Sequence, residues 1–250
     1  MLSFDSELWL RVLTRIGGRY FVFASVAFLI FYVIFKRQLL FLRIQKIFPK
    51  PVHYYRDVFY SVISIVIFAT IAYITIGVCR PVNNIFYGSI QDFGVAYYAA
   101  GFLWMFILHD TWFYWVHRLM HHPLLFKHVH LVHHKSTNPS PWTAYAFHPF
   151  EAILEAAIIP LIAFTLPVQR SGIMFFMLFQ IVYNVYGHLG YELFTRRFLN
   201  NKAGRWINSS TAHNGHHKYF TGNYGLYTLF WDRIMRTVRK DEPNVAERKQ

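Results

Sequence analysis

The stretch VAYYAAGFLWMFILHDTWFYWVHRLMHH, residues 95–122, decides how the rest of the chain is read. It is apolar through Leu108, then continues with no helix breaker into aromatics, one acid and four histidines. At about 1.5 Å per residue, His117 lies roughly 33 Å along a helix that begins at Val95, just past a hydrocarbon core of about 30 Å. The spacing predicts a membrane helix whose histidines surface at the water interface.

Composition agrees with that reading. The 250 residues are 55% hydrophobic, 20% aromatic and only 15% charged, too few charges to coat a soluble globule. A formal net charge of +13 raises the question of nucleic acid. The basic residues, however, gather in clusters flanking apolar runs and not along one polar face, and no nucleic-acid motif is present, so nucleic acid is excluded as a partner. Cys79 is the single cysteine, which rules out a disulfide framework and a thiolate metal site. Any metal must be held by His, Asp or Glu. The N-terminal residues carry acids before the first apolar run and show no small-residue cleavage pattern, so they are not read as a removable signal peptide.

Two further apolar runs, 20–35 and 58–79, are long enough to span or nearly span the core. Residues 152–166 and 173–187, parted by the turn at 167–170, read as a helical hairpin whose first arm, carrying Pro160, is short for a full crossing. The expected fold is an all-α integral membrane protein with about four to five membrane helices and a histidine-rich helical cap holding a dinuclear metal site. Its expected divisions are membrane helices with a basic loop over 1–94, a catalytic domain over 95–237 and a polar, disordered tail over 238–250. Segment 36–56 holds six lysines and arginines against one in 80–94, so the first loop is expected in the cytoplasm. Three spans and a hairpin then bring every dense histidine cluster, and the eleven basic residues after Gly190, to that same side.

Those clusters are His117-x3-His121-His122, His130-x2-His133-His134 and His213-x2-His216-His217. On a helix, spacings of three or four residues put both imidazoles on one face, within reach of a shared metal. Asp110 and Tyr114 fall on the His117 stripe, where an acid suits the far nitrogen of a ligating imidazole. His109 lies about 80° off that stripe. So many histidines beside one cysteine exceed the four ligands of a closed structural zinc site and point to at least two ions. No Glu is followed by His three residues on, so the soluble carboxylate di-iron pattern is absent; Glu151 and Glu155 read equally as polar residues flanking the hairpin. Redox iron suits the setting, and zinc also fits the ligands. Trp112, Phe113 and Trp115 read either as the rim of a binding mouth or as an interfacial aromatic belt. His53 reads as ordinary surface, and His122 and His128 as off-stripe neighbours of stronger candidates. Residues 223–225, AsnTyrGly, read as a lid or a plain turn, with Asp232 and Arg236 spaced to pair on a helix.

HDTWFYWVHRLMHH, KHVHLVHHKSTNPSPWTAYAFHPFE, GHLGYE and TAHNGHHKYFTGNYGLYTLFWDRIMRT occur in this order. Together they resemble the fatty acid hydroxylase superfamily of membrane di-iron enzymes, in its sterol C-5 desaturase-like branch. The resemblance implies two iron ions, oxygen as co-substrate, an apolar lipid substrate, and electrons from a separate redox protein, since no glycine-rich dinucleotide fingerprint or appended haem domain is visible. It implies as ligands His117, His121, His130, His133, His134, His188, His213, His216 and His217, with His109, His122 and His148 as further candidates. Asn184 stands where some relatives carry another histidine. Oxidation would give an alkene or an alcohol. The alternatives are a hydroxylase of fatty acyl, sphingolipid or ether lipid and, more distantly, a membrane metal transporter, which would set its ligands near the bilayer midplane. The setting implied is the endoplasmic reticulum of a eukaryote or the cytoplasmic membrane of a bacterium.

Overall fold

The computed structural model describes residues 4–79 and 89–239. The connection 80–88 and the tail from 240 onward, both used in the sequence reading, lie outside the described residues. Within them the fold is helical, with no β-strand and only two isolated bridges, Arg43 with Tyr191 and Ile207 with Thr228.

α1 (Ser6–Phe28) starts where the Asp5 side chain accepts the Leu8 amide, and it continues as a π turn over Leu29–Ile34. α2 (Pro51–Tyr73) has proline in its first turn, where no amide donor is needed, and ends in a second π turn, Ile74–Val78. These two continuous rods, Ser6–Ile34 and Pro51–Val78, are long and apolar enough to cross a membrane. They pack against one another through small residues. Gly17 brings Ile65 close, and Ala24 and Ala69 are fully buried. Their polar groups are paired, Tyr20 donating to Trp142 O and Trp9 to Thr70 Oγ1.

α3 (Gly94–Met120) runs back toward the Tyr32 end of α1. α4 (Pro123–Val129) and α5 (Leu131–His134) follow as short turns of the cap. After a 3-10 turn at Pro141–Tyr145, α6 (Pro149–Ala156) and α7 (Ile158–Thr165) lead away from the cap, and α8 (Arg170–Gly187) returns to it. α9 (Arg196–Leu199), α10 (Ser210–Tyr219) and α11 (Phe230–Ile234) complete the cap. α3 and α8 also carry exposed apolar side chains, among them Leu103, Ile107, Phe175 and Val182. Such a surface on more than two helices suits lipid contact.

Two buried polar anchors tie the rods to the cap. Asp57, at the head of α2, accepts from Ser136 Oγ, Thr143 Oγ1 and the Arg56 guanidinium. Gly190 adopts φ +74°, and a side chain there would meet the Tyr32 hydroxyl at 2.8 Å. Because the position stays bare, Tyr32 can donate to Leu189 O, one residue after His188.

Candidate metal centre

α3, α4, α5, α8 and α10 end or pass at one point, and nine histidines meet there in two groups: His117, His121, His130, His134 and His216 in one, His133, His188, His213 and His217 in the other. Within each group the candidate ligand atoms lie within 4.8 Å of one another. Most of these side chains are fully buried, His134, His216 and His217 at 0% exposure.

The helical spacing sorts the rings. Residues four apart differ by only about 40° on a helix, and residues three apart by about 60° the other way. The pairs His117/His121, His130/His134 and His213/His217 each stay in one group, whereas His130/His133 and His213/His216 are divided. The expectation that either spacing serves a shared centre is thus corrected. Adjacent histidines, about 100° apart, also divide: His133 and His134 face different groups, as do His216 and His217. In the second and third boxes the doubled histidine is what joins one group to the other.

Most rings turn Nδ1 outward to a fixed acceptor. His117 donates to Tyr224 O at 2.8 Å, His216 to Gly222 O at 2.7 Å, His188 to Asn184 O at 2.8 Å and His217 to Ser136 O at 3.1 Å. His130 Nδ1 lies 2.7 Å from Glu151 Oε1, both residues almost fully buried. Nε2 is left facing inward. Neighbouring Nε2 atoms are separated by 3.1 Å between His130 and His134, 3.1 Å between His134 and His216, 3.3 Å between His133 and His188 and 3.0 Å between His188 and His213. Ligands about 2.0–2.1 Å from a common ion stand roughly 2.8–3.4 Å apart at octahedral to tetrahedral angles. The Nε2 atoms of His117, His121 and His217 are buried with no hydrogen-bond partner. Orphaned nitrogens at these spacings are costly without a cation to receive them.

Burial first, then the neighbouring imidazoles, holds His130, His133, His134, His213, His216 and His217 well below the ordinary histidine value. The rings are therefore neutral at pH 7 and have lone pairs to offer.

The other expected site residues lie elsewhere. His109 is buried on α3, its Nδ1 against the Tyr227 hydroxyl. His122 and His148 cap α4 and α6 by accepting the Leu124 and Phe150 amides, so local helix starts use their rings. His128 is exposed. Asp110 does not meet an imidazole; it accepts the Tyr227 and Thr228 amides and the Thr228 hydroxyl, pinning that loop to α3. The Tyr114 hydroxyl reaches Thr237 and Arg118. Asp232 does not pair with Arg236; it holds the Tyr224 and Gly225 amides, which sets Tyr224 O for His117. Asn184 donates to Ala144 O. Glu151 is the partner that sequence reasoning left undecided.

Beside the second group lies a cleft between α1, α2, α6, α7 and α8 with an empty volume, mouth included, of about 1250 Å³. Its walls include Ile16, Phe68, Ile159, Ile173 and Met177, and its floor includes Phe147, whose ring packs 5.0 Å from that of His133. Trp112, Phe113 and Trp115 do not line it; His109 does.

The fatty acid hydroxylase family profile matches residues 102–237, which contain all nine histidines. The chain belongs to the fatty acid hydroxylase family. Its curated relatives include a Delta(7)-sterol 5(6)-desaturase of Gibberella zeae, 32% identical over 65% of this chain and 49% of the relative. Others are the Delta(7)-sterol 5(6)-desaturase of Leptosphaeria maculans, 32% identical over 56% of this chain and 37% of the relative, and one of Aspergillus fumigatus, 32% identical over 65% and 44%. The chain thus spans about half or less of the length of these relatives. No solved structure matches it significantly.

Proposed function

We propose that this fatty acid hydroxylase family member is a membrane-bound oxidoreductase that desaturates or hydroxylates a lipid, a sterol or related molecule. It would use two iron ions, oxygen and electrons from a separate redox protein. The observation that carries the reading is the placement of nine neutral histidines in two touching groups beside an apolar cleft, whose floor residue Phe147 packs on His133. The kinship with sterol desaturases supports the substrate class.

The five-histidine group would hold one ion and the four-histidine group the other. When bound, the pair would supply the oxygen activation and electron transfer that an unactivated C–H bond requires. The chain's own residues do the rest. The carbonyls of Tyr224, Gly222, Asn184 and Ser136 hold Nδ1 protons and so fix which nitrogen faces inward. Glu151 adds a buried acid whose Oε1 lies 2.7 Å from His130 Nδ1. Phe147 and the apolar walls exclude water and press the lipid toward His133 and His188. Position to about an ångström would then decide between alkene and alcohol. Two rods and the apolar faces of α3 and α8 support a multi-pass arrangement, with the basic 36–56 segment and the histidine cap on the cytoplasmic side.

Mass spectrometry of total lipids from cells expressing wild type or His217→Ala, with oxygen and a native redox partner, tests the activity. A wild-type-specific lipid that has lost two hydrogens or gained one oxygen is expected. Identical lipid profiles, with iron present in the wild-type protein and a working electron donor, would overturn the reading.

A further inference from the structure

Apart from two exposed arginines at its rim, Arg15 and Arg170, the polar residues that line the cleft gather at its histidine end. Asn184 and Gln180 on α8 lie about 6 and 12 Å along the helix before His188, and His109 lies about 12 Å along α3 before His117. Glu155 on α6 is one turn, about 6 Å, past Glu151, the neighbour of His130. Farther from the histidines the walls are Leu8 and Val12 of α1, Ile76 beyond α2, Ile159 of α7, and Ile173 and Met174 of α8.

Most of the polar groups are already engaged on one side. Asn184 gives Nδ2 to Ala144 O; Gln180 accepts the Tyr145 hydroxyl at 3.3 Å and keeps its Nε2 donors; His109 meets the Tyr227 hydroxyl through Nδ1 at 3.0 Å and keeps Nε2. Arg19, half-buried at the same end, turns its Nε to Arg15 O. Glu155 differs. It is half-buried against the cleft, and among the described residues nothing hydrogen-bonds or ion-pairs with its carboxyl. A carboxyl facing an apolar space is costly unless a donor meets it. A hydroxyl supplies that donor, and its oxygen can accept from Gln180 in return. An anionic head would bring only more acceptors to Glu155, and a plain hydrocarbon would leave it unmatched. The amphiphile that fits has a small neutral alcohol head at the histidine end and an apolar body reaching toward the rim.

We propose that Glu155, flanked by Gln180 and His109, binds the hydroxyl of a neutral lipid alcohol, which enters head first with its hydrocarbon trailing toward the apolar end of the cleft. This rests on the reading of the cleft as the substrate site.

The test is equilibrium binding of cholestanol, its methyl ether and its oleate ester to the full chain in nanodiscs of zwitterionic phosphatidylcholine, with iron content measured on each sample as a check on folding. Wild type should bind the alcohol about tenfold or more tighter than the ether, the order expected when one buried hydrogen bond is lost. It should reject the ester, whose bulk sits where the head must go. Glu155→Leu should lose most of the preference for alcohol over ether, and Glu155→Gln, which still accepts a hydroxyl, should keep most of it. Gln180→Leu, which spares the acid, should lower the preference in part, and Ile159→Ala should weaken both ligands alike. Equal affinity for alcohol and ether in the wild type would overturn the proposal. So would a preference untouched in Glu155→Leu and Gln180→Leu, or an ester that binds as well as the alcohol, which would put the head at the rim. The two proposals fail separately. An alcohol bound through Glu155 but never oxidised leaves the recognition standing and removes the activity; a lipid oxidised equally by wild type and Glu155→Leu, with no preference for the alcohol, does the reverse.

Discussion

His130 and Glu151 show what a single pair contributes: a buried acid 2.7 Å from Nδ1 stands on the outer side of the ring, while Nε2 faces His134. Glu151→Gln keeps the shape and weakens the acceptor, so it should lower metal affinity about 10- to 100-fold, the usual cost of losing such a partner. Metal titration of the purified variant checks this, and unchanged affinity would reduce Glu151 to a helix-start residue. Asp110→Asn should behave differently, because Asp110 grips the Tyr227 and Thr228 amides and no imidazole. A lowered thermal midpoint with metal content intact is expected; metal loss before unfolding would contradict that placement. These two acids also mark the limit of sequence reading. Helical position says which way Asp110 leaves α3 but not what waits there, and Glu151 is brought to His130 by the fold from another element, with no local spacing to announce it.

The sorting of rings between the two groups belongs to the helices. The His-x2-His-His boxes on α5 and α10 were legible as candidate metal ligands from spacing alone, since nine imidazoles in three clusters exceed any packing need. Which ring serves which centre was not, because a residue three positions on lies near the boundary of the helix face and the tilt of each short helix decides. The long apolar rods were legible by length, and the anchors that dock the cap on them were not. Asp57→Ala removes an acceptor shared by Ser136, Thr143 and Arg56 and loosens the loop whose Ser136 carbonyl holds His217. Charge-assisted bonds of this kind suggest a loss of roughly 2–4 kcal/mol. Thermal unfolding in detergent should show it, and a midpoint within error of wild type would mean the loop is held by other contacts.

For the whole molecule, the buried histidines couple stability to pH. Burial lowers the pKa of His130, His133, His134, His213, His216 and His217 below the ordinary value of 6.5, whereas the unfolded chain protonates near 6.5. Below that pH the unfolded state binds more protons than the folded one, so stability rises with pH up to about 6.5 and falls on acidification, by about 1.4 kcal/mol per pH unit for each such group. The metal-free protein should therefore melt much lower at pH 5.5 than at pH 7.5; a flat midpoint over that range would show that the rings are solvated. The central claim is that one chain holds two metal ions between nine histidines. Elemental analysis of the purified protein, wild type beside His134→Ala and the double variant His134→Ala, His217→Ala, tests it most directly. The account predicts two iron ions per chain in the wild type, depletion in His134→Ala and loss of both ions in the double variant with the protein still in the membrane. One ion or none in an active wild type, or two retained in the double variant, would contradict it.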